Sequence, residues 1–335
     1  MIKGWLEYVD ELKKQGLTDA AIAQQLQQTV FKDSKISSII ERIHKARWRR
    51  RTNPPTVVGK DIKPDEEPDN IEEIMAEVAR SEPKIYRPSR WTGEEVIRFA
   101  IISDTHLNNM WTQITLLHRA YETFESEGID VVYHCGDIDD GEEMRMGHKY
   151  ECYTQGGDAH VDEIVRVYPK LKNGGKTYFI TGNHDHSLIK RAGMDIGRHI
   201  ANERDDMVYL GPDHAVVYLT DKCTMELRHP GDGTAYAISY KVQKMVEAMS
   251  GGEKPNIFAV GHYHKEGSWF YRNVQCMLVP TLCAQTPWMR GRGIAAEVGY
   301  YIVEIRVHDD GTISRFTPTF FPAYRTIKDD WKNWR

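Results

Sequence analysis

The stretch Phe99-Ala100-Ile101-Ile102-Ser103-Asp104-Thr105-His106 decides the interpretation of this chain. Its first four residues form an apolar run, which is typical of a strand buried in an α/β sheet. Ligands of such sheets bind beyond the carboxyl ends of the strands, where Asp104 and His106 lie. Side chains at positions i and i+2 of an extended segment point the same way, so both could approach one divalent metal ion. A single Asp-x-His is equally compatible with a capping Asp beside an exposed His.

The same pattern recurs along the chain, and this repetition favours a metal site. Each further instance is a short strand-like run that ends in Asp, Asn or His, with a Gly beside it. The instances are Val131–Cys135 before Gly136-Asp137, Lys176–Thr181 before Gly182-Asn183-His184-Asp185, Thr224–Arg228 before His229-Pro230-Gly231, and Asn256–Val260 before Gly261-His262-Tyr263-His264. Several strands that end in metal-type donors at one sheet edge predict a catalytic metal site.

The order of these motifs resembles the calcineurin-like metallophosphoesterase superfamily from about residue 96 to residue 316. The resemblance implies an α/β fold, a four-layer α/β/β/α sandwich, that holds two divalent ions. The ligands that it implies are Asp104, His106, Asp137, Asn183, His229, His262 and His264, with Asp137 bridging the ions. This donor set has no thiolate and suits Mn²⁺, Fe or Zn²⁺ without choosing among them; Mn²⁺ is our first expectation.

The resemblance also implies how the reaction would run. A water that bridges the two ions would attack the phosphorus, so no Ser or Cys nucleophile is needed. His184 would contact the phosphate and protonate the leaving oxygen, a task that suits an imidazole. Asp185 could orient His184. His134 lies inside a strand-like run, and we interpret it as a core residue rather than a ligand.

Some polar residues near the motifs are open to two interpretations. Carboxylates that follow Asp137 would repel a polyanionic substrate unless they are turned away or paired; they are Asp139, Asp140, Glu142 and Glu143. The histidines at positions 148, 160 and 186 are interpreted as surface or substrate-side residues. The insert at residues 141–158 is expected to be a rim loop. Arg290 and Arg292 are candidate ligands of the substrate phosphate, or ordinary surface residues.

The first 52 residues differ from the rest in charge, with 11 Lys and Arg against 6 Asp and Glu, while the whole chain carries a net charge of −5. Apolar spacing predicts three short helices here, the second capped by Thr18 and the third by Ser34. This arrangement resembles a helix-turn-helix module. Nucleic-acid contacts are predicted after the third helix, at Lys45, Arg47, Trp48, Arg49, Arg50 and Arg51. The alternative is a helical packing or oligomerisation domain with a solvated basic end.

The 335 residues therefore divide into four predicted parts. They are a helix-turn-helix-like domain at 1–52, a Pro-rich linker at 53–95, the metallophosphoesterase domain at 96–318, and a C-terminal tail at 319–335. The 5 Cys form no Cys-x-x-Cys pair, which fits a reducing compartment. No apolar run approaches the length of a bilayer span, and the N-terminus lacks a secretory core. We expect a cytoplasmic protein without a membrane partner.

The functional expectation is a two-metal phosphodiesterase that hydrolyses nucleic acid, with DNA as the expected partner. The Gly261–His264 strand end and the segments after it resemble the DNA-repair nuclease branch of the superfamily, and the basic head would suit a phage or mobile-element protein. One alternative is a hydrolase of small phosphoesters or phosphoproteins whose N-terminal domain docks a protein. Another is a DNA-binding protein with a vestigial site. A homo-oligomer is compatible with each.

Overall fold

The computed structural model describes residues 5–14, 17–29, 31, 35–40, 43, 85–86, 96–233 and 235–335. Backbone contacts divide the chain into two compact units, residues 1–67 and 68–335. Within the described residues, no helix is both long and apolar enough to cross a bilayer.

The first unit contains α1 (Trp5–Lys14), α2 (Asp19–Thr29) and helical residues at 36–40. Thr18 accepts a hydrogen bond on Oγ1 from the backbone N–H of Ala21 at 3.3 Å, so the predicted N-cap of α2 is present. The unit has its own apolar core, formed by Val9, Leu12, Ile22, Ala23, Leu26, Ile39 and Ile43. The predicted start of the third helix at Ser34 lies outside the described residues, and the helix-turn-helix resemblance stays a prediction.

The second unit holds all the strands that the structure describes. They are β1 (Ile85–Tyr86), β2 (Val96–Ile102), β3 (Val131–Cys135), β4 (Lys176–Thr181), β5 (Met207–Pro212), β6 (His214–Tyr218), β7 (Thr224–Arg228), β8 (Ile257–Val260), β9 (Gly267–Tyr271), β10 (Val274–Leu278), β11 (Gly299–Val307) and β12 (Ile313–Pro322). Its helices are α3 (Ile114–Ser126), α4 (Gly157–Val167), α5 (His186–Ala192), α6 (Ile196–Glu203), α7 (Tyr240–Ala248) and α8 (Pro287–Gly291), with 3₁₀ turns at His148–Tyr150 and Asp330–Trp334.

The strands form two six-stranded sheets. The first has the order β12-β11-β2-β3-β4-β5, and the second has the order β1-β6-β7-β8-β10-β9. The strands β2, β3, β4 and β5 run parallel, and β7, β8 and β10 run parallel in the other sheet. Parallel neighbours bring their carboxyl ends to one edge of a sheet, which is where the predicted ligands follow.

Alternation along the central strands explains the layers. In β2, Ala100 and Ile102 pack under the helices α3, α4 and α6, whereas Phe99 and Ile101 pack against the second sheet. On the outer face of the second sheet, Phe258 belongs to a further core that includes residues of α7. Three apolar layers therefore separate helices, two sheets and helix, which is the predicted α/β/β/α sandwich.

Some elements differ from the sequence prediction. The apolar pattern predicts a helix over residues 161–171, but the helix in the structure is Gly157–Val167. The pattern also predicts a strand over residues 312–316, but the strand continues to Pro322. The C-terminal tail is not peripheral, because Trp331 is buried and stacks on Tyr153 with ring centroids 4.8 Å apart. These elements are fixed by tertiary packing, which local pattern alone does not encode.

Candidate metal centre

The candidate ligands converge because the strand ends are held together by short backbone links. The N–H of Asp104 donates to Gly136 O at 3.0 Å, and the N–H of His106 donates to Asp137 O at 3.1 Å. Across the two sheets, the N–H of His262 donates to Asp104 Oδ2 at 2.9 Å. The segments that follow β2, β3 and β8 are thus hydrogen-bonded to one another.

The backbone at these strand ends adopts conformations that non-glycine residues rarely take. Asp104, His106, Asp137, His262 and His264 have φ angles of 51°, 42°, 53°, 75° and 53°. A non-glycine residue with positive φ is uncommon and costs conformational free energy. Because five candidate ligands have positive φ angles, we infer that the fold holds these side chains in place for function rather than for stability.

The glycines of three motifs make room for one histidine ring. A Cβ atom added to Gly136 or Gly182 would collide with the ring of His229, and one added to Gly261 would lie 3.1 Å from its Nδ1. A Cβ atom on Gly182 would also collide with Asp137 Oδ1. Glycine therefore accompanies these motifs because the His229 ring lies directly against the backbone.

The first donor group consists of Asp104, His106 and His264. His264 Nε2 lies 3.2 Å from Asp104 Oδ1 and 3.0 Å from His106 Nε2. His106 Nδ1 lies 3.0 Å from Asp140 Oδ1, so it donates its proton there and leaves Nε2 to face the group. The group thus presents two imidazole nitrogens and a carboxylate oxygen to one point.

The second donor group consists of Asp137, His229 and His262. His229 Nδ1 donates to Cys135 O at 2.6 Å, which leaves Nε2 3.0 Å from Asp137 Oδ2. His262 Nε2 donates to Asp232 O at 2.6 Å. A bare imidazole nitrogen and a carboxylate oxygen are both acceptors, so a cation, either a proton or a metal ion, has to lie between them.

Within the described residues, several buried polar atoms at this centre have no hydrogen-bond partner. They include Asp104 Oδ1, Asn183 Oδ1 and His229 Nε2. A buried polar atom without a hydrogen bond costs free energy, and its presence in a native fold calls for an explanation such as an ion. The donor atoms within each group also lie within 4.8 Å of one another. The residues present therefore fit divalent metal ions bound by imidazole, carboxylate and amide oxygen.

Electrostatics in the metal-free chain agree with this interpretation. Burial raises the pKa of the Asp104 carboxyl, but His264 and His106 beside it hold that pKa well below its usual range. Burial alone would lower the pKa of His229, whereas the Asp137 carboxylate raises it to about 9. Burial and the nearby His229 lower the pKa of His262 to about 4. Positive charge is thus strongly favoured beside the two carboxylates, and metal ions would supply it.

His184 lies beside both donor groups without being placed between them. Its backbone N–H donates to Asp137 Oδ1 at 2.9 Å, and its ring lies edge-on to the His106 ring with centroids 4.6 Å apart. Its Nδ1 donates to Asp140 O at 2.7 Å. The side chain is partly exposed, and one of its ring nitrogens lies within 4.8 Å of donor atoms of His106 and Asp137.

Asp185 does not orient His184, contrary to the expectation from adjacency. Its carboxylate accepts hydrogen bonds from the backbone N–H groups of Gly182 at 2.7 Å and Asp139 at 2.9 Å. Burial and the Asp137 charge raise the pKa of Asp185 to about 8. Asp185 thus fastens the turn after β4 to the turn after β3, and Asp140 takes the orienting position.

The extra carboxylates are paired rather than free to repel a substrate. Asp139 contacts His160 Nδ1 at 2.8 Å, and Asp140 contacts His148 Nε2 at 2.9 Å. Glu142 and Glu143 lie against Arg191 at 3.3 Å and 2.5 Å. Each carboxylate of the acidic run after Asp137 therefore lies against a histidine or an arginine.

Two histidines expected at the surface are buried, and they belong to these pairs. His148 and His160 are shielded from solvent, and Asp139 raises the pKa of His160 to about 9 against the effect of burial. His134 is also buried, as expected, and burial lowers its pKa to about 3. The sequence offered no signal for the support role of Asp140 except its spacing from Asp137.

The structure places the predicted substrate residues on a loop that is tethered to the first donor group. Arg290 and Arg292 are exposed, and Arg290 Nε donates to Gln285 Oε1 at 3.3 Å. Their contact with substrate stays a prediction. The predicted nucleic-acid contacts at Lys45, Arg47, Trp48, Arg49, Arg50 and Arg51 lie outside the described residues.

The chain is similar to one known protein family and to several solved structures. Residues 97–280 match the family model of the calcineurin-like phosphoesterase superfamily domain. Similar solved structures include an archaeal phosphodiesterase, with 13% identity, 67% of this chain and 100% of that chain covered, and a TM-score of 0.38. A predicted phosphoesterase from Streptococcus pneumoniae has 17% identity, 68% and 99% coverage, and a TM-score of 0.33. Zinc-complexed Vps29 from Entamoeba histolytica has 11% identity, 68% and 99% coverage, and a TM-score of 0.35. No curated protein sequence matches the chain.

Proposed function

The chain belongs to the calcineurin-like phosphoesterase superfamily, and from that premise we propose that it is a two-metal phosphodiesterase that cleaves nucleic acid, with DNA as the substrate. The observation that carries the proposal is the pair of donor groups, which meet around one buried carboxylate. Asp137 Oδ2 lies 3.0 Å from His229 Nε2 of the second group and 3.9 Å from His106 Nε2 of the first. A carboxylate in that position is suited to serve two ions.

The residues that would hold the ions follow from the two donor groups. Asp104, His106 and His264 would hold one ion, and His229, His262 and Asn183 the other, with Asp137 shared. When bound, two divalent ions polarise the phosphoryl oxygens and lower the pKa of an attacking water. We propose Mn²⁺ as the ion, with Fe and Zn²⁺ as alternatives that the mixed imidazole and carboxylate donors suit as well.

His184 is the general acid in this proposal. The hydrogen bond from Nδ1 to Asp140 O fixes the tautomer and turns Nε2 outward. Burial would lower the pKa of His184, but the Asp137 and Asp140 carboxylates together raise that pKa above its usual value. A protonated imidazole at the mouth of the site is available to give its proton to the leaving oxygen.

The choice of nucleic acid rests on charge rather than on the donor groups, which serve any phosphoester. The basic segment after the helices of the first unit, Arg49–Arg51 above all, would neutralise phosphates of a polyanion. We extend the proposal to this segment as a DNA contact. We also propose that the protein forms a homo-oligomer, which would bring two such segments to one substrate.

The test is Mn²⁺-dependent hydrolysis of labelled single- and double-stranded DNA beside bis-p-nitrophenyl phosphate. We expect wild-type protein to cleave both, and a chelator to abolish both activities. In His184→Ala, DNA cleavage should fall about a hundredfold or more, because an alkoxide leaving group needs a proton. Hydrolysis of the p-nitrophenyl ester should fall less, because p-nitrophenolate leaves without one.

Two results would contradict parts of the proposal. Cleavage of the small diester alone would remove nucleic acid as the substrate and favour the small-phosphoester alternative. Absence of both activities with Mn²⁺, Fe²⁺ and Zn²⁺ would overturn the proposal that the protein is a phosphodiesterase. Neutralising Arg49, Arg50 and Arg51 should lower the salt dependence of DNA binding by up to about three charges, without a change in the small-diester rate.

A further inference from the structure

A loop from residue 283 to residue 296, here named the rim turn, is tethered at both ends to the first donor group. Just before it, Thr281 Oγ1 donates to Asp104 O at 2.8 Å, and Leu282 N donates to the same oxygen at 3.1 Å. Just after it, Glu297 N donates to His264 O at 3.0 Å. The residues that flank the rim turn are therefore anchored to the backbone of two candidate metal ligands, Asp104 and His264.

The rim turn presents a tryptophan to solvent on a rigid support. Trp288 lies on the short helix α8, whose first turn is closed by Thr286 Oγ1 accepting from Met289 N at 3.2 Å. Met289 is buried and anchors the turn, whereas Trp288 is 39% exposed. A tryptophan that stays partly exposed on an anchored turn stabilises the fold less than a buried one does. Such exposure is typical of an aromatic side chain that contacts a ligand.

Two arginines from different loops lie over the Trp288 ring. The guanidinium carbons of Arg145 and Arg292 are each 4.7 Å from the ring centroid. Arg145 comes from the insert at 141–158 and is ion-paired with Glu151. Within the part of the chain that the structure describes, Arg292 has no carboxylate partner. A cation that stacks on an exposed ring and keeps its charge unpaired is ready to receive an anion.

The insert at 141–158 carries a second pair of a cation and an exposed aromatic ring. Tyr150 is 73% exposed, and Lys149 Nζ lies 5.2 Å from the centroid of its ring. Its neighbour His148 connects the insert to the metal centre through Asp140. Exposed rings interleaved with cations are the arrangement by which proteins bind single-stranded nucleic acid, with bases on the rings and phosphates on the cations.

We propose that Trp288 and Arg292 form a nucleotide subsite in which an unpaired base stacks on Trp288 and the adjoining phosphate binds Arg292. The inference rests on the proposed function and names its substrate more narrowly, as single-stranded nucleic acid. Guanidinium groups and bases stack on aromatic rings in the same manner, so a base can replace an arginine over the ring while Arg292 turns to the phosphate. A base inside a duplex has no free face to offer.

The test compares KM for a labelled single-stranded oligonucleotide with KM for bis-p-nitrophenyl phosphate, using full-length protein and Mn²⁺. Trp288→Ala should raise the oligonucleotide KM about tenfold, since stacking one base on an aromatic side chain contributes on that order. The oligonucleotide KM should change far more than the small-diester KM, and Trp288→Phe should restore most of the loss. Arg292→Ala should weaken oligonucleotide binding and reduce its salt dependence by about one charge.

The control is Phe270→Ala, because Phe270 is 62% exposed on β9, an edge strand of the second sheet. This variant should leave both KM values unchanged. An unchanged oligonucleotide KM in Trp288→Ala would overturn the subsite while the proposed function stands. An equal loss on both substrates would also overturn it, because Trp288 would then only hold the rim together. If wild-type protein cleaves the small diester but no oligonucleotide, the nucleic-acid function fails and takes the subsite with it.

Discussion

The two donor groups use similar ligands but are supported differently. In the first group, the outer nitrogen of His106 is held by a carboxylate, Asp140, at 3.0 Å. In the second group, the outer nitrogens of His229 and His262 are held by the backbone carbonyls of Cys135 and Asp232, each at 2.6 Å. A carboxylate adds charge and ligand basicity as well as orientation, whereas a carbonyl mainly fixes the ring.

The supports also differ in burial. Asp140 is buried and is itself held by Asn109 Nδ2 at 2.7 Å and His148 Nε2 at 2.9 Å. Asp232 lies on an exposed loop and is held by Lys241 Nζ at 2.6 Å. The support of His106 is thus a buried, charged network, whereas the support of His262 lies in an exposed loop. We therefore expect the first group to retain its ion at lower metal concentration than the second.

The largest expected effect removes the residue that the groups share. In Asp137→Asn, the small-diester rate should fall about a thousandfold, or about 4 kcal/mol of activation free energy, because neither ion keeps its full charge complement. Mn²⁺ content by elemental analysis should fall for both ions together. Asp158→Asn, at an exposed carboxylate of the insert, is the matched control and should behave as wild type. Loss of a single ion in Asp137→Asn would show that Asp137 is not shared.

The comparison itself is sharpened by Asp140→Asn against Asp232→Asn. Because Asp140 supports a ligand through its side chain, Asp140→Asn should weaken the tighter Mn²⁺ binding event about 10- to 100-fold. Asp232 supports His262 through its backbone oxygen, so Asp232→Asn should change either event by less than about threefold. Isothermal titration of metal-free protein with Mn²⁺ separates the two events. Equal losses in the two variants would end the distinction between the groups.

A smaller effect is expected where the second group relies on empty space. In Gly182→Ala, the added methyl group would meet the His229 ring and Asp137 Oδ1, so the ring has to move. Overpacking of this kind costs about 1–3 kcal/mol of unfolding free energy, and the weaker Mn²⁺ event should suffer more than the tighter one. Gly233→Ala is the control, since a Cβ atom there meets nothing within 4 Å. A loss confined to the tighter event would contradict the assignment of His229 to the second group.

Much of this centre could be predicted from the sequence, because its ligands follow directly on apolar runs. The runs before Asp104, Asp137, Asn183 and His262 become β2, β3, β4 and β8, and parallel pairing brings their ends together. The same parallel pairing explains why adjacency in the chain predicts the wrong partner for Asp185. It follows His184 in the chain, yet its carboxylate is taken by backbone N–H groups that β3 delivers from 47 and 46 residues away.

The supports could not be predicted, because each depends on loops that meet only in the folded chain. His148 reaches Asp140 from the insert, and Arg145 reaches Trp288 across two loops. A sequence that shows several carboxylates in a row predicts repulsion, whereas the fold pairs each with a histidine or arginine from elsewhere. Periodicity and spacing encode the strand ends, but the partners of a buried charge are encoded by tertiary structure alone.

The smallest expected effect separates the stability of the fold from both donor groups. Asp330 is buried and accepts hydrogen bonds from Thr115 N at 2.7 Å and Thr115 Oγ1 at 2.6 Å, so it caps α3 from the C-terminal segment. Asp330→Ala should cost about 1–2 kcal/mol of unfolding free energy, as loss of a helix cap does. Chemical denaturation measures this cost, and Lys328→Ala at an exposed neighbour is the control. Both Mn²⁺ binding events should be unchanged, because α3 carries no candidate ligand. A weakened event would mean that the groups depend on the helical layer as well as on the strand ends.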